Sequence, residues 1–323
     1  MRAIQITGYG GPTAVELAEI PVPPVSAGQL LIEVHAAGVS FPQVLQSQGL
    51  YQSQPPLPFV PGVELAGVVV DAPGGSALTA GDRVAASCRT GAFAEYAVVD
   101  EQSVFPLPDA ASFEQGAAFP LNYLTAHFAL ITRGRLAPGE SVLVHGAAGG
   151  VGTAAIQVAK AFGAGTVIAV VSTEEKGAIA IDAGADDFVL SEGFKDAVAG
   201  LTGGAGVDVV VDPVGGDRFT DSLRSLAVGG RLLVIGFTGG EIPTVKVNRL
   251  LLNNIEVVGV GWGAYLARRP EYVAQQWAEL RPHLASGTIR PIIGASFPLE
   301  RAADALTAID ERRATGKVVL TLR

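Results

Sequence analysis

The sequence predicts an α/β fold in two parts, a β-rich partial barrel and a doubly wound parallel sheet. Three observations carry this. Residues 1 to 120 are strand-like runs separated by proline and glycine turns, the texture of a folded-over sheet. After residue 140, strand-like and helical runs alternate every roughly twenty to twenty-five residues, which implies right-handed βαβ units and parallel pairing. Where the texture changes, residues 140–163 read as strand, glycine-rich turn and helix in immediate succession.

In the first part, strands are expected at 2–7, 30–36, 64–70, 83–86 and 92–99. Turns such as Pro21-Val22-Pro23-Pro24 and Ala72-Pro73-Gly74-Gly75 separate them. Residues 110–130 read as helical, interrupted near Pro120. Parallel strands follow at 141–145, 166–171, 187–190, 207–211, 231–235 and 255–260, with helical patterns at 174–183, 194–201 and 219–226. Beyond 265 come helices near 272–286 and 301–311 and a last strand, 317–322, that returns to the first part. The expected division is therefore 1–120 with 266–323, and 121–265 inserted between them.

Composition sets bounds. The chain has 323 residues, 49% hydrophobic, ample for two cores. A net charge of −9 argues against nucleic acid as partner. No run of about eighteen apolar residues exists and residues 1–10 lack an apolar signal region, so no membrane span is read. The single cysteine, Cys88, excludes an intrachain disulfide and fits a reducing compartment, so a cytoplasmic location is expected.

The stretch that organises the rest is Glu140 to Gly163. Val142, Leu143 and Val144 form a buried strand, entered through Pro138-Gly139. Gly146, Gly149, Gly150 and Gly152 form the turn. Val151, Ala155, Ile156, Val158, Ala159 and Phe162 repeat at helical spacing until Gly163 stops the helix. Free N–H groups and the helix dipole make such a junction an anion cradle. The dinucleotide fingerprint has three glycine positions, held here by Ala147, Gly149 and Gly152. Ala147 departs at the first, and the adjacent Gly146 can supply the tight turn. Ala147, Gly149, Gly150, Val151 and Gly152 are thus expected to contact a dinucleotide pyrophosphate. His145, at the strand end, fits either a packed side chain, the reading favoured for each histidine of the chain, or a place near the pyrophosphate.

An NAD enzyme usually places Asp or Glu after the second strand to bind the ribose 2′-hydroxyl. Here Ser172, Thr173 and Lys176 stand at that end. A carboxylate would repel a 2′-phosphate, whereas a hydroxyl donates to it and Lys176 supplies positive charge. The expected cofactor is NADPH. Ser172 also reads as an N-cap with Glu175 completing a capping box, a role that uses the same helix end. Glu174 and Glu175 are also in reach of a ribose.

Several stretches together resemble the zinc-independent quinone oxidoreductase branch of the medium-chain dehydrogenase/reductase superfamily. They are Ala37 to Pro42, Gly49-Leu50-Tyr51, Pro58 to Gly67, Gly81-Asp82-Arg83-Val84, Gly146 to Gly152, Asp212 to Gly216, Gly259 to Tyr265 and Gly316 to Val319. The resemblance covers essentially the whole chain. It implies a GroES-like substrate domain around a Rossmann domain, with the active site in the cleft between. Relatives of this branch often carry Asn where Ser40 stands.

It also implies site residues. Zinc-dependent relatives place a Cys at the Ser40 position and a His at Val63, beside Glu64, and need four clustered cysteines for a structural zinc lobe. Those residues are absent, so no metal is expected. By resemblance Phe41, Thr125, Phe188, Phe237, Thr238, Val260, Gly261 and Trp262 line the cofactor, and Lys317 reaches it across the cleft. Phe188 stands where relatives have a Tyr. Lys317 equally fits a solvated surface lysine.

With no metal, flavin motif or evident base, direct hydride transfer from NADPH to a quinone or other conjugated carbonyl is the expected chemistry. Tyr51 and Ser40 are expected to contact the acceptor, with Phe41 and Tyr123 as apolar walls; each of the four equally fits a residue packed in the core. The alternatives are an enoyl-thioester or enone reductase, and a non-catalytic NADPH-binding protein of the crystallin kind. The apolar run Ile255 to Val260 reads as an open sheet edge, which implies a homodimer or tetramer.

Overall fold

The computed structural model describes residues 1–323. It separates into two compact units, Met1–Leu121 with Pro270–Arg323, and Asn122–Arg269. The sequence suggests breaks at 120/121 and 265/266; the second lies four residues later, because the short helix Trp262–Leu266 stays with the nucleotide sheet.

The first unit opens with β1 (Arg2–Ile6) and β2 (Val15–Glu19), an antiparallel pair. Then come β3 (Gln29–Val39), α1 (Phe41–Ser47), β4 (Glu64–Asp71), β5 (Arg83–Ser87), β6 (Tyr96–Asp100), β7 (Val104–Pro106) and α2 (Phe113–Ala118). The chain passes into the second unit through α3 (Pro120–His127), continued by a π-helical turn, Phe128–Arg133. The expected helix over 110–130 is thus broken once, between α2 and α3 at Phe119 and Pro120, because proline cannot donate to the preceding turn.

The second unit alternates strictly: β8 (Ser141–His145), α4 (Gly150–Ala161), β9 (Thr166–Val171), α5 (Glu174–Asp182), β10 (Asp187–Leu190), α6 (Phe194–Leu201), β11 (Val207–Asp212), α7 (Phe219–Arg224), β12 (Leu226–Val234), α8 (Asn248–Asn253), β13 (Glu256–Gly259) and α9 (Trp262–Leu266). The chain then returns to the first unit as α10 (Tyr272–Ser286), β14 (Ile293–Pro298), α11 (Ala302–Asp310) and β15 (Lys317–Thr321).

All six strands of the second unit are parallel, in the order β10-β9-β8-β11-β12-β13. This is the doubly wound order, with its switch point between β8 and β11; ligands bind such sheets at the carboxyl ends of the strands there. Its core packs Leu143, Ile168, Val170, Val210 and Leu232. Arg231 anchors one end: its guanidinium pairs with Glu140 and donates to the Gly134 carbonyl, and the pairing holds Glu140 below the usual carboxylate range.

The first unit is a largely antiparallel sheet in the order β14-β15-β3-β4-β5-β7, with β6 also pairing β3. Its core gathers Ile32, Val34, Leu65, Val84, Phe93 and Leu320. The partial barrel and the doubly wound sheet are both present. The sequence reading missed β2, β7, β14, α1, α8 and α9. These are short, and β14 carries Gly294 and ends on Pro298, residues that sequence propensity assigns to turns. The predicted strand 92–99 is shifted: β6 begins at Tyr96, while Ala94 forms an isolated bridge to Ala3. No helix is long and apolar enough to cross a membrane.

Candidate active site

In the second unit the glycine turn sits at the carboxyl end of β8, beside the switch point. Gly146 has φ +58°, a conformation that costs glycine little, and so supplies the tight turn in place of Ala147, whose side chain is fully buried. Gly149 caps α4 with φ −87° and ψ 177°. A Cβ on Gly152 would lie 2.2 Å from the Gly146 carbonyl oxygen, so the helix can approach the turn this closely only with glycine there. The first-turn N–H groups of Gly150, Val151 and Gly152 have no intrahelical acceptor. Their exposed end is a cradle for an anion. Asn122 is buried against Gly150, where a Cβ would stand 2.6 Å from Nδ2; no local pattern pointed to it.

His145 is not part of this cradle. It is fully buried, its Nε2 lies 2.8 Å from Ser222 Oγ and its ring meets Phe194 edge-on. Burial pushes its pKa down to about 4, so it is neutral at physiological pH.

At the end of β9 the cap is Thr173, not Ser172. Thr173 Oγ1 accepts from the Lys176 N–H at 3.4 Å, and hydrogen bonding to the Thr173 hydroxyl lowers the Glu175 pKa. The Ser172 hydroxyl is therefore not used as a cap; it is exposed, and Lys176 has no acidic partner. Phe188 packs its ring over Gly177 of α5, where a Cβ would fall 2.5 Å from the ring. Ser172 and Thr173 follow the carboxyl end of β9, whereas Phe188 lies near the start of β10, paired with Ala169.

After β11 and β12 two turns are tied together. Asp212 Oδ1 accepts from the Val214 and Gly215 N–H groups, each at 2.9 Å. The Thr238 hydroxyl donates to the Pro213 carbonyl at 3.0 Å, and the Gly239 N–H donates to the Val214 carbonyl at 2.8 Å. Phe237 rests on Gly215. Asp212 thus positions the loop carrying Phe237 and Thr238. The sequence signal was available in Asp-Pro-Val-Gly-Gly, a side chain that closes an Asx turn. Val260 is buried and pairs with Val234, while Gly261 caps α9 at Trp262. Thr125 is buried on α3.

In the first unit, Ser40, Glu64 and Lys317 converge at the ends of three adjacent strands. Lys317 opens β15, one step before the Val318–Val39 pair, which puts it opposite Ser40. Glu64 opens β4, one step beyond the Leu65–Ala37 pair. The Lys317 ammonium donates to Glu64 Oε1 and to Ser40 Oγ, and both charged side chains are buried. Glu64 Oε2 accepts the Leu121 N–H at 2.8 Å. Gly38 makes room: a Cβ there would lie 2.6 Å from Glu64 Oε1. The Lys317 ammonium, expected at the cofactor, is engaged inside this unit. Tyr51 is half-buried and its hydroxyl has no partner in the protein; Phe41 is half-buried at the start of α1. Tyr123, expected as an acceptor wall, is instead in the core of the second unit, where its hydroxyl donates to Gln157 at 2.8 Å.

Comparison with known proteins fits both architectures. Residues 26–109 match the alcohol dehydrogenase GroES-like domain, and residues 150–280 match the zinc-binding dehydrogenase domain. Quinone oxidoreductase-like protein 2 of Rattus norvegicus is 39% identical over 325 residues, covering 100% of this chain and 92% of that one. The chain belongs to the quinone oxidoreductase family of medium-chain dehydrogenases/reductases. Among solved family members, the quinone oxidoreductase of Thermus thermophilus, determined also as its NADPH complex, superposes with a TM-score of 0.87 at 36% identity and full coverage of both chains. A probable oxidoreductase of Mycobacterium abscessus superposes with a TM-score of 0.91 at 42% identity, covering 100% of this chain and 99% of the other.

The matched dehydrogenase domain is named for zinc, and the donor set here does not fit that ion. The first ligand position is a serine hydroxyl and the second, Val63, has no donor atom. The carboxylate of Glu64 already receives an ammonium and an N–H. Burial raises the Cys88 thiol to about 12, which keeps it protonated, whereas a metal takes the thiolate. No group of three or more His, Cys, Asp or Glu side chains is placed to hold a metal ion.

Proposed function

We propose that this chain is an NADPH-dependent, metal-free reductase whose acceptor is a quinone or a related conjugated carbonyl. The observation that carries the cofactor assignment is the end of β9, where a free Ser172 hydroxyl and an unpaired Lys176 stand in place of a carboxylate. NADPH complexes of family members support it. The bound dihydronicotinamide supplies a hydride. The chain's own residues do the rest. First-turn N–H groups of α4 hold the pyrophosphate, and Ser172, Thr173 and Lys176 take the 2′-phosphate. The loop with Phe237 and Thr238, together with Thr125, Val260, Gly261 and Trp262, orients the nicotinamide. Tyr51 and Ser40 offer hydroxyls to the acceptor oxygen, and Phe41 gives an apolar wall.

The test is NADPH oxidation against quinones, enones and enoyl-CoA esters, with and without a chelator. Fastest turnover with quinones, unchanged by chelation, is expected. Preference for an enoyl-thioester would reassign the substrate, and tight NADPH binding without turnover would make the chain a binding protein. Lys176→Ala should raise KM for NADPH by about tenfold more than for NADH; equal changes refute the assignment of the 2′-phosphate.

We further propose a homodimer paired through β13, the edge of the parallel sheet. The side chains of Val247, Leu251 and Leu252, on or beside α8, are exposed, as is Val228 on β12. Apolar groups beside an open edge are what a second copy would cover. A monomeric mass by light scattering at micromolar concentration would defeat this. A cytoplasmic location remains our reading of the single cysteine.

A further inference from the structure

We infer that Lys317 is a positioning residue that fixes the Ser40 hydroxyl as a hydrogen-bond donor to the oxygen of the bound acceptor. This rests on the reductase reading above and adds the group that stabilises the charge formed in the reaction.

An ammonium has three donors and no acceptor, so each atom it touches must accept. Ser40 Oγ accepts from Lys317 Nζ. With that lone pair committed, the hydroxyl hydrogen of Ser40 points away from Nζ. Its one acceptor in the protein is Glu64 Oε1 at 3.3 Å, long for an O–H···O bond, and that oxygen already receives the ammonium. Ser40 is half-buried rather than enclosed, so its hydrogen can turn to a ligand oxygen. A serine alone would be donor or acceptor at will. Beside Lys317 one of its two lone pairs is taken and its hydrogen faces away from Nζ, which favours the donor role toward a ligand.

The rest of the cluster holds the ammonium in place. Glu64 is fully buried, locked by the Leu121 N–H and fitted against Gly38. A buried ion pair is weak evidence for a stability role, since apolar side chains of similar volume often do as well. Here its ammonium touches the one half-exposed hydroxyl of the cluster. In the reaction, hydride addition converts the quinone to the hydroquinone monoanion. Both electrons and one hydrogen come from the nicotinamide, which is oxidised. The oxygen left negative accepts the Ser40 hydrogen bond and then takes a proton from water. A preoriented donor favours that charge more than it favours the neutral carbonyl.

The test compares wild type with Ser40→Ala, Ser40→Thr, Lys317→Met and the double variant Glu64→Gln with Lys317→Met. Five quantities are read: thermal midpoint, NADPH affinity, kcat and KM with benzoquinone, and binding of 4-nitrophenol followed by its phenolate absorbance. Ser40→Ala should lower the midpoint slightly, as a lost N-cap of α1, keep its NADPH affinity and lose about 10- to 100-fold in kcat, with KM changed by less than about threefold. Ser40→Thr should recover much of the loss. The double variant should regain the midpoint lost in Lys317→Met without regaining kcat, a split that a structural pair would not give. Wild type should bind the phenolate about tenfold more tightly than Ser40→Ala. Wild-type kcat in Ser40→Ala or in the double variant, or equal phenolate binding, overturns the inference. A wild type that turns over no acceptor at all refutes instead the reductase reading, and the phenolate measurement still judges Ser40.

Discussion

The glycine turn of the second unit and the Ser40–Glu64–Lys317 cluster of the first are built by opposite means. The turn is bare main chain: at Gly152 a single added carbon would meet the Gly146 carbonyl oxygen at 2.2 Å. The cluster is long charged side chains drawn into the core from positions 253 residues apart. The turn leaves first-turn N–H groups without an intrahelical acceptor, whereas the cluster holds charge by pairing it and closing it off. An open backbone site tolerates no side chain, and a closed ionic site tolerates no missing partner.

That contrast can be broken by experiment, the largest effect first. Lys317→Met leaves the Glu64 carboxylate buried without its counter-charge and should cost about 3–5 kcal/mol in denaturant unfolding. Adding Glu64→Gln should return most of it. A single variant as stable as wild type would mean the cluster is not closed. Gly152→Ala should cost about 2–3 kcal/mol by forcing α4 away from the turn, with NADPH binding lost in fluorescence titration. Gly200→Ala, on α6 with nothing within 4 Å of the new carbon, is the control and should be neutral or slightly stabilising.

A smaller effect separates His145 from the cradle beside it. Its folded pKa of about 4 lies below its ordinary value of 6.5. Between these values the unfolded chain binds a proton that the folded chain does not. The penalty is therefore absent above pH 6.5 and grows as pH falls toward 4, by about 1.4 kcal/mol per unit at most. His145→Asn should flatten stability against pH in that window, and an unchanged slope would assign the dependence to other groups. Least of all, Thr173→Ala should cost about 1 kcal/mol as a lost cap. Ser172→Ala should leave stability alone and reduce only the preference for NADPH over NADH. If the two effects exchange, the cap has been assigned to the wrong hydroxyl.

Legibility followed the same divide. The glycine turn was readable because strand, turn and helix are contiguous, and periodicity and glycine placement act over a few residues. Even the departure at Ala147 could be absorbed locally, since Gly146 takes the left-handed turn. The cap at Thr173 was misplaced by one residue because Ser172 and Thr173 are equally good oxygen acceptors, and only the path of the chain into α5 chooses between them. His145 looked available because it ends a strand beside the turn, yet its ring is packed under Phe194.

From its sequence alone this protein's two architectures, its parallel strand series and its strand–glycine turn–helix junction were determined, because hydrophobic period and glycine chemistry are short-range properties. The pairing of Lys317 with Glu64, the donor set at Ser40 and the burial of Tyr123 and His145 were decided by the tertiary structure. Strand register brings positions from both ends of the chain to one spot, and whether a polar side chain meets a partner, a ligand or the core depends on that register.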